Sequence, residues 1–123
     1  MNKYTELSDF EINLLVAQFV LPETQYDVIK QTMDIIQFLV DGSFGYRFFD
    51  PCNNPTDAMP IIKDNFISIT HDGIAWDVGC AKYPELSVWN GLENYNDNFY
   101  RKAMELFLLM KDAENEKIRP NLL

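Results

Sequence analysis

Residues 54–78 read NPTDAMPIIKDNFISITHDGIAWDV, and this stretch places a helix signal directly before a β-hairpin signal. Asn54 is a good N-cap and Pro55 suits the first helical position, so a helix is predicted from there to about Asn65. Pro60 lies within that helix and cannot donate a backbone hydrogen bond, so a kink or a tight first turn is expected. A helix followed by a hairpin indicates the α+β class.

The hairpin signal is an alternation of apolar and polar residues on both sides of a turn. Residues 66–70 alternate as a strand does, and residues 71–73 supply the turn. Gly73 is free to adopt a positive φ at that turn. The alternation continues through residues 74–78, which predicts that Trp76 belongs to the core.

The N-terminal region contains a second helix signal. Ser8 and Glu11 have the spacing of a capping box, in which each side chain bonds the other residue's backbone N–H. A helix is therefore predicted over about residues 9–19, with apolar side chains recurring at helical spacing. This apolar face consists of Ile12, Leu15, Val16 and Phe19.

Residues 24–50 allow two interpretations. Short strands near 26–31, 34–40 and 45–49 are favoured, because the region is rich in Val, Ile, Tyr and Phe and contains an Asp-Gly turn signal. A helix over residues 25–40 is the alternative, because apolar residues also recur there at helical spacing.

The C-terminal part is predicted to be a loop over residues 81–97, a helix that begins near Asp97 or Asn98, and a polar tail over residues 114–123. The order helix, strands, helix, hairpin, helix predicts a single α+β domain over residues 1–113. Its architecture is a small, mainly antiparallel sheet with about three helices packed on it, similar to an α-β-α sandwich. The apolar stripe of the last helix consists of Phe99, Ala103, Leu106, Phe107 and Met110.

The charge of the chain is acidic and unevenly distributed. The 123 residues have a net charge of −9, while 47% of them are hydrophobic, which is enough for a core without metal or disulfide links. Residues 1–100 hold 15 acidic and 5 basic side chains, and residues 101–123 hold 4 acidic and 5 basic ones. The last helix and tail are thus expected to form a separate electrostatic face. A negative field disfavours direct binding to nucleic acid.

The two cysteines, Cys52 and Cys80, match no metal-ligand or redox spacing. Residues 1–20 lack the pattern of a secretory signal, so both cysteines are interpreted as reduced thiols of a cytoplasmic protein. The apolar runs fall short of the roughly 18–20 residues that a membrane helix needs, so no membrane partner is expected.

Three segments form a recognisable pattern, namely residues 3–13 (KYTELSDFEIN), residues 49–62 (FDPCNNPTDAMPII) with 67–69 (ISI), and residues 101–104 (RKAM). Together they resemble the NinX-like family of small phage and prophage proteins, which is sometimes grouped with phage α-β-α sandwich domains. Met59 departs from the family pattern, which has Trp there. The resemblance implies an origin in a phage or an integrated prophage, and it implies no particular reaction.

The 50–57 turn is the best candidate for a binding site. Its polar residues would line a pocket at a helix N-terminus, where backbone N–H groups attract anions. The alternative is that the same residues only form a tight turn and cap the helix. The candidate residues in the turn are Asp50, Cys52, Asn53, Asn54 and Asp57.

Trp89 is a further candidate, because it lies in a polar loop and an exposed large aromatic side chain is a feature of binding surfaces. No catalytic residue, metal ligand or cofactor is predicted. His71 is the only histidine, so a multi-histidine metal site is excluded. Cys52 would need His71 beside it to act as a nucleophile, and nothing in the sequence brings the two together.

The resemblance, the acidic charge and the lack of a catalytic pattern imply a non-enzymatic accessory protein in the cytoplasm of a bacterial host cell. It would act by binding a host protein. One alternative is an inhibitor of a host defence or nucleic-acid enzyme, with carboxylates that imitate phosphates. Two others are a small-molecule-binding or enzymatic domain that uses the 50–57 turn, and a self-assembling module.

Overall fold

The computed structural model describes residues 2–21, 26–29, 34–39, 46–88 and 98–118. In these ranges the chain forms three helices and six strands, which confirms the predicted α+β class with three helices. The helices are α1 (Asp9–Val20), α2 (Pro55–Asp64) and α3 (Phe99–Ile118). The strands are β1 (Tyr26–Ile29), β2 (Ile35–Leu39), β3 (Tyr46–Phe48), β4 (Ile67–His71), β5 (Trp76–Cys80) and β6 (Ser87–Val88).

The strands form two sheets where the sequence predicted one. Strands β1, β2 and β3 pair in that order, and β4, β5 and β6 form a second antiparallel sheet. Helix α2 lies between β3 and β4 in the sequence, so each sheet is assembled from strands that follow one another closely along the chain. Strand β6 also lies inside the segment that was expected to be a loop, of which residues 89–97 fall outside the described ranges.

The described residues between α1 and α2 include the strands β1, β2 and β3, so the alternative of a helix over residues 25–40 is wrong. Strands β1 and β2 pair in register from Tyr26 opposite Phe38 to Ile29 opposite Ile35. Asp34, just before β2, has a φ of 49°, which a right-handed helix does not allow. The predicted strands near 26–31, 34–40 and 45–49 are confirmed where the structure describes them.

Helix α1 begins with the predicted capping box. The backbone N–H of Glu11 donates to Ser8 Oγ at 3.1 Å, and the backbone N–H of Ser8 donates to Glu11 Oε1 at 3.0 Å. Ile12 and Val16 are fully buried, whereas Phe19 near the helix end is half exposed. The rings of Phe19 and Phe107 pack edge to face, with 5.9 Å between their centroids. The buried face is therefore rotated from the predicted one, and it includes a polar residue, Asn13.

The β4–β5 hairpin forms as predicted, with a longer turn. Gly73 has a φ of +98°, and Asp72 Oδ1 accepts the backbone N–H groups of Ile74 and Ala75 at 2.8 and 2.9 Å. Ile74 is therefore part of the turn, since its backbone N–H bonds the Asp72 side chain instead of a strand, and its own side chain is exposed. Trp76 is the first residue of β5, paired with His71 next to the turn, and it is only partly buried. The prediction that Trp76 belongs to the core is therefore only partly correct.

Helix α2 continues through Pro60 to Asp64, as the predicted range requires. It ends at the C-cap Asn65, and the next residue, Phe66, adopts a left-handed φ of 55°. The ring of Phe66 is 81% exposed. A bulky residue in this conformation is unusual, because glycine is the common choice after a helix end.

Helix α3 lies at the centre of the described core. It packs against α1, α2 and the β4–β6 sheet, and every residue from 101 to 108 is buried. The predicted apolar stripe is buried except at Phe99, which is partly exposed. Asn98 caps the helix, since its Oδ1 accepts the backbone N–H of Arg101 at 3.2 Å.

The C-terminal segment differs from its expected electrostatic role. Arg101 and Lys102 are buried, so they do not contribute to the separate surface face that the sequence indicated. Lys102 Nζ donates to the carbonyl oxygen of Trp76 at 2.8 Å. Residues 114–118 continue α3, so the expected polar tail begins as helix; the domain boundary at residue 113 stays a prediction.

Candidate functional site

The 50–57 turn connects β3 to α2, and its backbone closes before the helix begins. The backbone N–H groups of Asn53 and Asn54 donate to the carbonyl oxygen of Asp50 at 3.1 and 2.8 Å. The Asn54 side chain accepts the backbone N–H of Thr56 at 3.0 Å, and Pro55 is the first helical residue. The predicted N-cap at Asn54 is thus confirmed.

Asp57, in the first turn of α2, bonds back to the 50–57 turn and to β3. Its carboxylate is almost fully buried, accepts the backbone N–H of Asp50 at 3.0 Å and forms an ion pair with Arg47 of β3. Its place in the first turn of α2 also favours a negative charge, because the helix dipole is positive at that end. Asp57 therefore joins β3, the turn and α2, and its carboxylate is already occupied by these partners.

Asn13 of α1 holds the other side of the turn and was missed at the level of the sequence. Its side chain is 5% exposed, its Nδ2 donates to Asp50 Oδ1 at 2.7 Å, and its Oδ1 accepts the backbone N–H of Cys52 at 3.1 Å. The available signal was its position beside Ile12, on a helix face that is otherwise apolar. Asparagine is a poor helix former, so a buried one inside a helix indicates a specific partner.

Asn53 connects the turn to both α1 and α3. Its Nδ2 donates to Asp9 Oδ2 at 3.0 Å and to Asp50 Oδ1 at 3.2 Å. Asn98 Nδ2 donates to Asn53 Oδ1 at 3.0 Å and to the carbonyl oxygen of Cys52 at 2.7 Å. These bonds join residues far apart in the sequence and fix the turn in one conformation.

Arg101 forms the buried part of this network. Its guanidinium pairs with Asp9 Oδ1 at 2.6 Å and with Glu105 Oε2 at 2.8 Å, and it also donates to the carbonyl oxygens of Tyr4 and Leu7. Burial alone would lower the pKa of Arg101, but the hydrogen bonds to Glu105 and Asp9 outweigh burial and leave the pKa raised. Arg101 thus remains a permanent cation that orders the N-terminal segment against α3.

Cys52 is poorly suited to nucleophilic chemistry. Its thiol is fully buried and lies 3.8 Å from the carbonyl oxygen of Asp9. Burial, with a smaller contribution from the negative charge of Asp9, raises the pKa of this thiol well above its ordinary value. The thiolate is the reactive form, so a raised pKa keeps the group inert near neutral pH. His71 lies in the β4–β5 hairpin, where its Nδ1 accepts the backbone N–H of Gly73 at 3.1 Å.

A cavity of about 210 Å³ opens beside the turn, between α1, β2 and the end of β3. We call it the acidic groove, because no lysine or arginine among the described residues lines it and three aspartates do. Its apolar lining includes Phe48, which is 57% exposed. Its lining includes Phe10, Asn13, Asp34, Phe48, Asp50 and Asn53.

Of the remaining sequence candidates, those that the structure describes do not line this groove. Trp89 lies outside the described residues, so its role as a binding residue stays a prediction. Asn54 and Asp57 serve the start of α2, and Cys52 lies beneath the turn. In the ranges that the structure describes, no group of three or more His, Cys, Asp or Glu side chains is arranged to hold a metal ion.

A family model described as "Bacteriophage P22, NinX" matches residues 3–111 of the chain. No curated protein and no solved structure matches the chain significantly. Among the described residues, no helix is both long and apolar enough to cross a membrane. The family match spans all three helices up to residue 111, and it includes every residue of the acidic groove.

Proposed function

Because the chain belongs to the NinX family of phage proteins, we propose that it is a phage or prophage accessory protein that acts by binding a protein of the bacterial host. The acidic groove and the exposed ring of Phe48 form the contact surface. The observation that supports this proposal most directly is the combination of an exposed aromatic side chain and carboxylates around one preformed cavity.

The contact surface is held rigidly. Asn13, Asn53 and Asn98 tie the turn to α1 and α3 through side-chain hydrogen bonds of 2.7–3.0 Å. A surface that is already ordered loses little conformational entropy on binding, so more of its contact energy appears as affinity.

Phe48 is the exposed aromatic residue of this surface. An aromatic ring exposed at the edge of a concave site is the kind of residue that dominates binding energy in protein interfaces. Phe48 lies on β3 opposite Gln37 of β2, so the ring is held by a paired strand and not by a loose loop. Burying it under a partner would remove apolar surface from water.

The experiment compares wild type with Phe48→Asp and a matched control, Phe66→Asp, which changes another exposed phenylalanine outside the groove. A host protein is identified by cross-linking in bacterial cells, purified, and titrated against each variant. We expect Phe48→Asp to weaken binding by about tenfold or more, as for an interface anchor, with Phe66→Asp close to wild type. Failure to recover a partner, or an equal loss for both variants, would contradict the proposal.

A second candidate function is inhibition of a host defence or nucleic-acid enzyme through the acidic surface. It is favoured by the burial of Arg101 and Lys102, which removes two cations from the surface of a chain with net charge −9. Such binding would weaken steeply with added salt, because the Debye length falls to about 3 Å at 1 M. Affinity for the host protein that is independent of salt would rule out this version.

A further inference from the structure

We propose that the acidic groove receives an arginine side chain of the partner protein. This inference rests on the proposed function, because it names the chemistry of the residue that the partner inserts. The cavity volume of about 210 Å³ is consistent with one long side chain. Sites for drug-sized ligands are larger, at roughly 300–1,000 Å³.

The carboxylate of Asp50 is positioned to accept a further hydrogen bond. Asn13 Nδ2 donates to its Oδ1 at 2.7 Å, whereas its Oδ2 receives only a longer bond of 3.3 Å from Asn53. A carboxylate offers about four acceptor positions, so Oδ2 retains capacity. The two asparagines come from different elements and prevent Asp50 from rotating away.

Asp34 supplies a second carboxylate to the groove. It is exposed just before β2, and no hydrogen bond or ion pair reaches its side chain from the described part of the chain. By contrast, the two guanidinium groups of the described ranges are already engaged, Arg47 with Asp57 and Arg101 with Asp9 and Glu105. The negative charge at Asp34 and Asp50 is therefore available to a cation from outside.

The apolar lining favours arginine over lysine. Phe10 and Phe48 line the groove together with the carboxylates, so an occupant must combine a flat or apolar body with a positive end. A guanidinium meets both demands, because it stacks on aromatic rings and pairs with carboxylates through two parallel bonds. The same sheet shows this arrangement once, where the Arg47 guanidinium lies 5.1 Å from the centre of the Phe38 ring and pairs with Asp57.

The test is an NMR titration of the whole protein with N-acetyl-arginine-N-methylamide. The same derivatives of citrulline, which is neutral with nearly the same shape, and of lysine are titrated in parallel. We expect the arginine probe to shift the backbone amides of Ile36, Asp50 and Asn53, at roughly tenfold lower concentration than citrulline. No localised shift, or equal binding of arginine and citrulline or of arginine and lysine, would overturn the inference.

Asp34→Asn provides the variant, because asparagine tolerates the left-handed φ at this position and the change removes only charge. Asp64→Asn removes the same charge from an exposed position on α2, away from the groove. We expect the arginine probe to bind several-fold more weakly to Asp34→Asn and unchanged to Asp64→Asn. An equal loss in both variants would reduce the effect to net charge and overturn the site.

The titration and the host-protein experiment can give opposite results, so each tests its own proposal. If Phe48→Asp abolishes binding of the host protein while the arginine probe shifts nothing, the contact surface stands and its arginine occupant is refuted. If the probe binds in the groove and no host protein is recovered, the side-chain site stands and the host-binding function is refuted.

Discussion

Replacement of Asn13 by alanine gives the sharpest test of how the 50–57 turn is held. The substitution removes the donor to Asp50 Oδ1 and the acceptor for the backbone N–H of Cys52, at 2.7 and 3.1 Å. Both contacts lie where α1 meets the turn, and the side chain of Asn13 is almost fully buried. Asn13 also lines the acidic groove, so water can partly replace the missing amide at Asp50, and the loss is expected in the lower half of the range for such contacts.

The expected loss follows from these two contacts. A hydrogen bond to a charged group contributes about 1.5–3 kcal/mol, and a buried N–H left without a partner costs about 1–3 kcal/mol. Alanine is the better helix former and returns roughly 0.5 kcal/mol. The free energy of unfolding should fall by about 3 kcal/mol, a large share of the roughly 5–15 kcal/mol of an ordinary domain. The melting temperature should fall by about 10 °C.

The assay is urea unfolding followed by circular dichroism, with wild type, Asn13→Ala and Gln18→Ala measured together. Gln18 is an exposed amide on the same helix, so its removal should change the unfolding free energy by less than about 0.5 kcal/mol. If Asn13→Ala were as stable as Gln18→Ala, the network could not be what holds the turn.

Three further predictions concern Phe66, the two cysteines and Asp77. Phe66→Gly should stabilise the protein by about 0.5–1 kcal/mol relative to Phe66→Ala, because only glycine relieves the left-handed φ of 55°; a less stable glycine variant in thermal unfolding would refute this. Cys52 and Cys80, both buried, should react with a thiol reagent only in urea, and rapid labelling of native protein would contradict their burial. Burial, with the negative charge of Asp72, raises the folded-state pKa of Asp77, so its ionisation destabilises the fold as pH rises through the window that starts near 3.8. The unfolding free energy of Asp77→Asn relative to wild type should therefore increase as the pH rises above about 3.8; a constant difference would argue against it.

The buried charges of α3 show why composition misled the electrostatic interpretation. Arg101 and Lys102 were counted as part of a basic terminal surface, yet both lie inside the core. Arg101 is accompanied there by Glu105, and Lys102 donates to a backbone carbonyl oxygen. Removing one partner of such a pair would leave the other charge buried and unpaired, which is strongly destabilising. These residues therefore hold α3 to its neighbouring elements.

The 50–57 turn shows which contacts of the candidate site can be predicted from the sequence. The cap at Asn54 and the helix start at Pro55 depend on residues within three positions of each other, and both were predicted. The contact of Asn13 with Asp50 spans 37 positions, and that of Arg101 with Asp9 spans 92. No local pattern encodes such distances, so these contacts follow only from the packing of α1 and α3 against the turn.

By itself, the sequence determined the elements whose signals are local. These are the capping box of α1, the start of α2, the β4–β5 hairpin and the family pattern, because each depends on side chains and backbone groups a few residues apart. The tertiary structure alone decided that the strands divide into two sheets, that α3 is buried with its charges, and that Asp34, Phe48 and Asp50 meet around one groove. Those outcomes depend on which faces are covered when the helices pack, and burial of apolar surface selects among faces that look equivalent in the sequence.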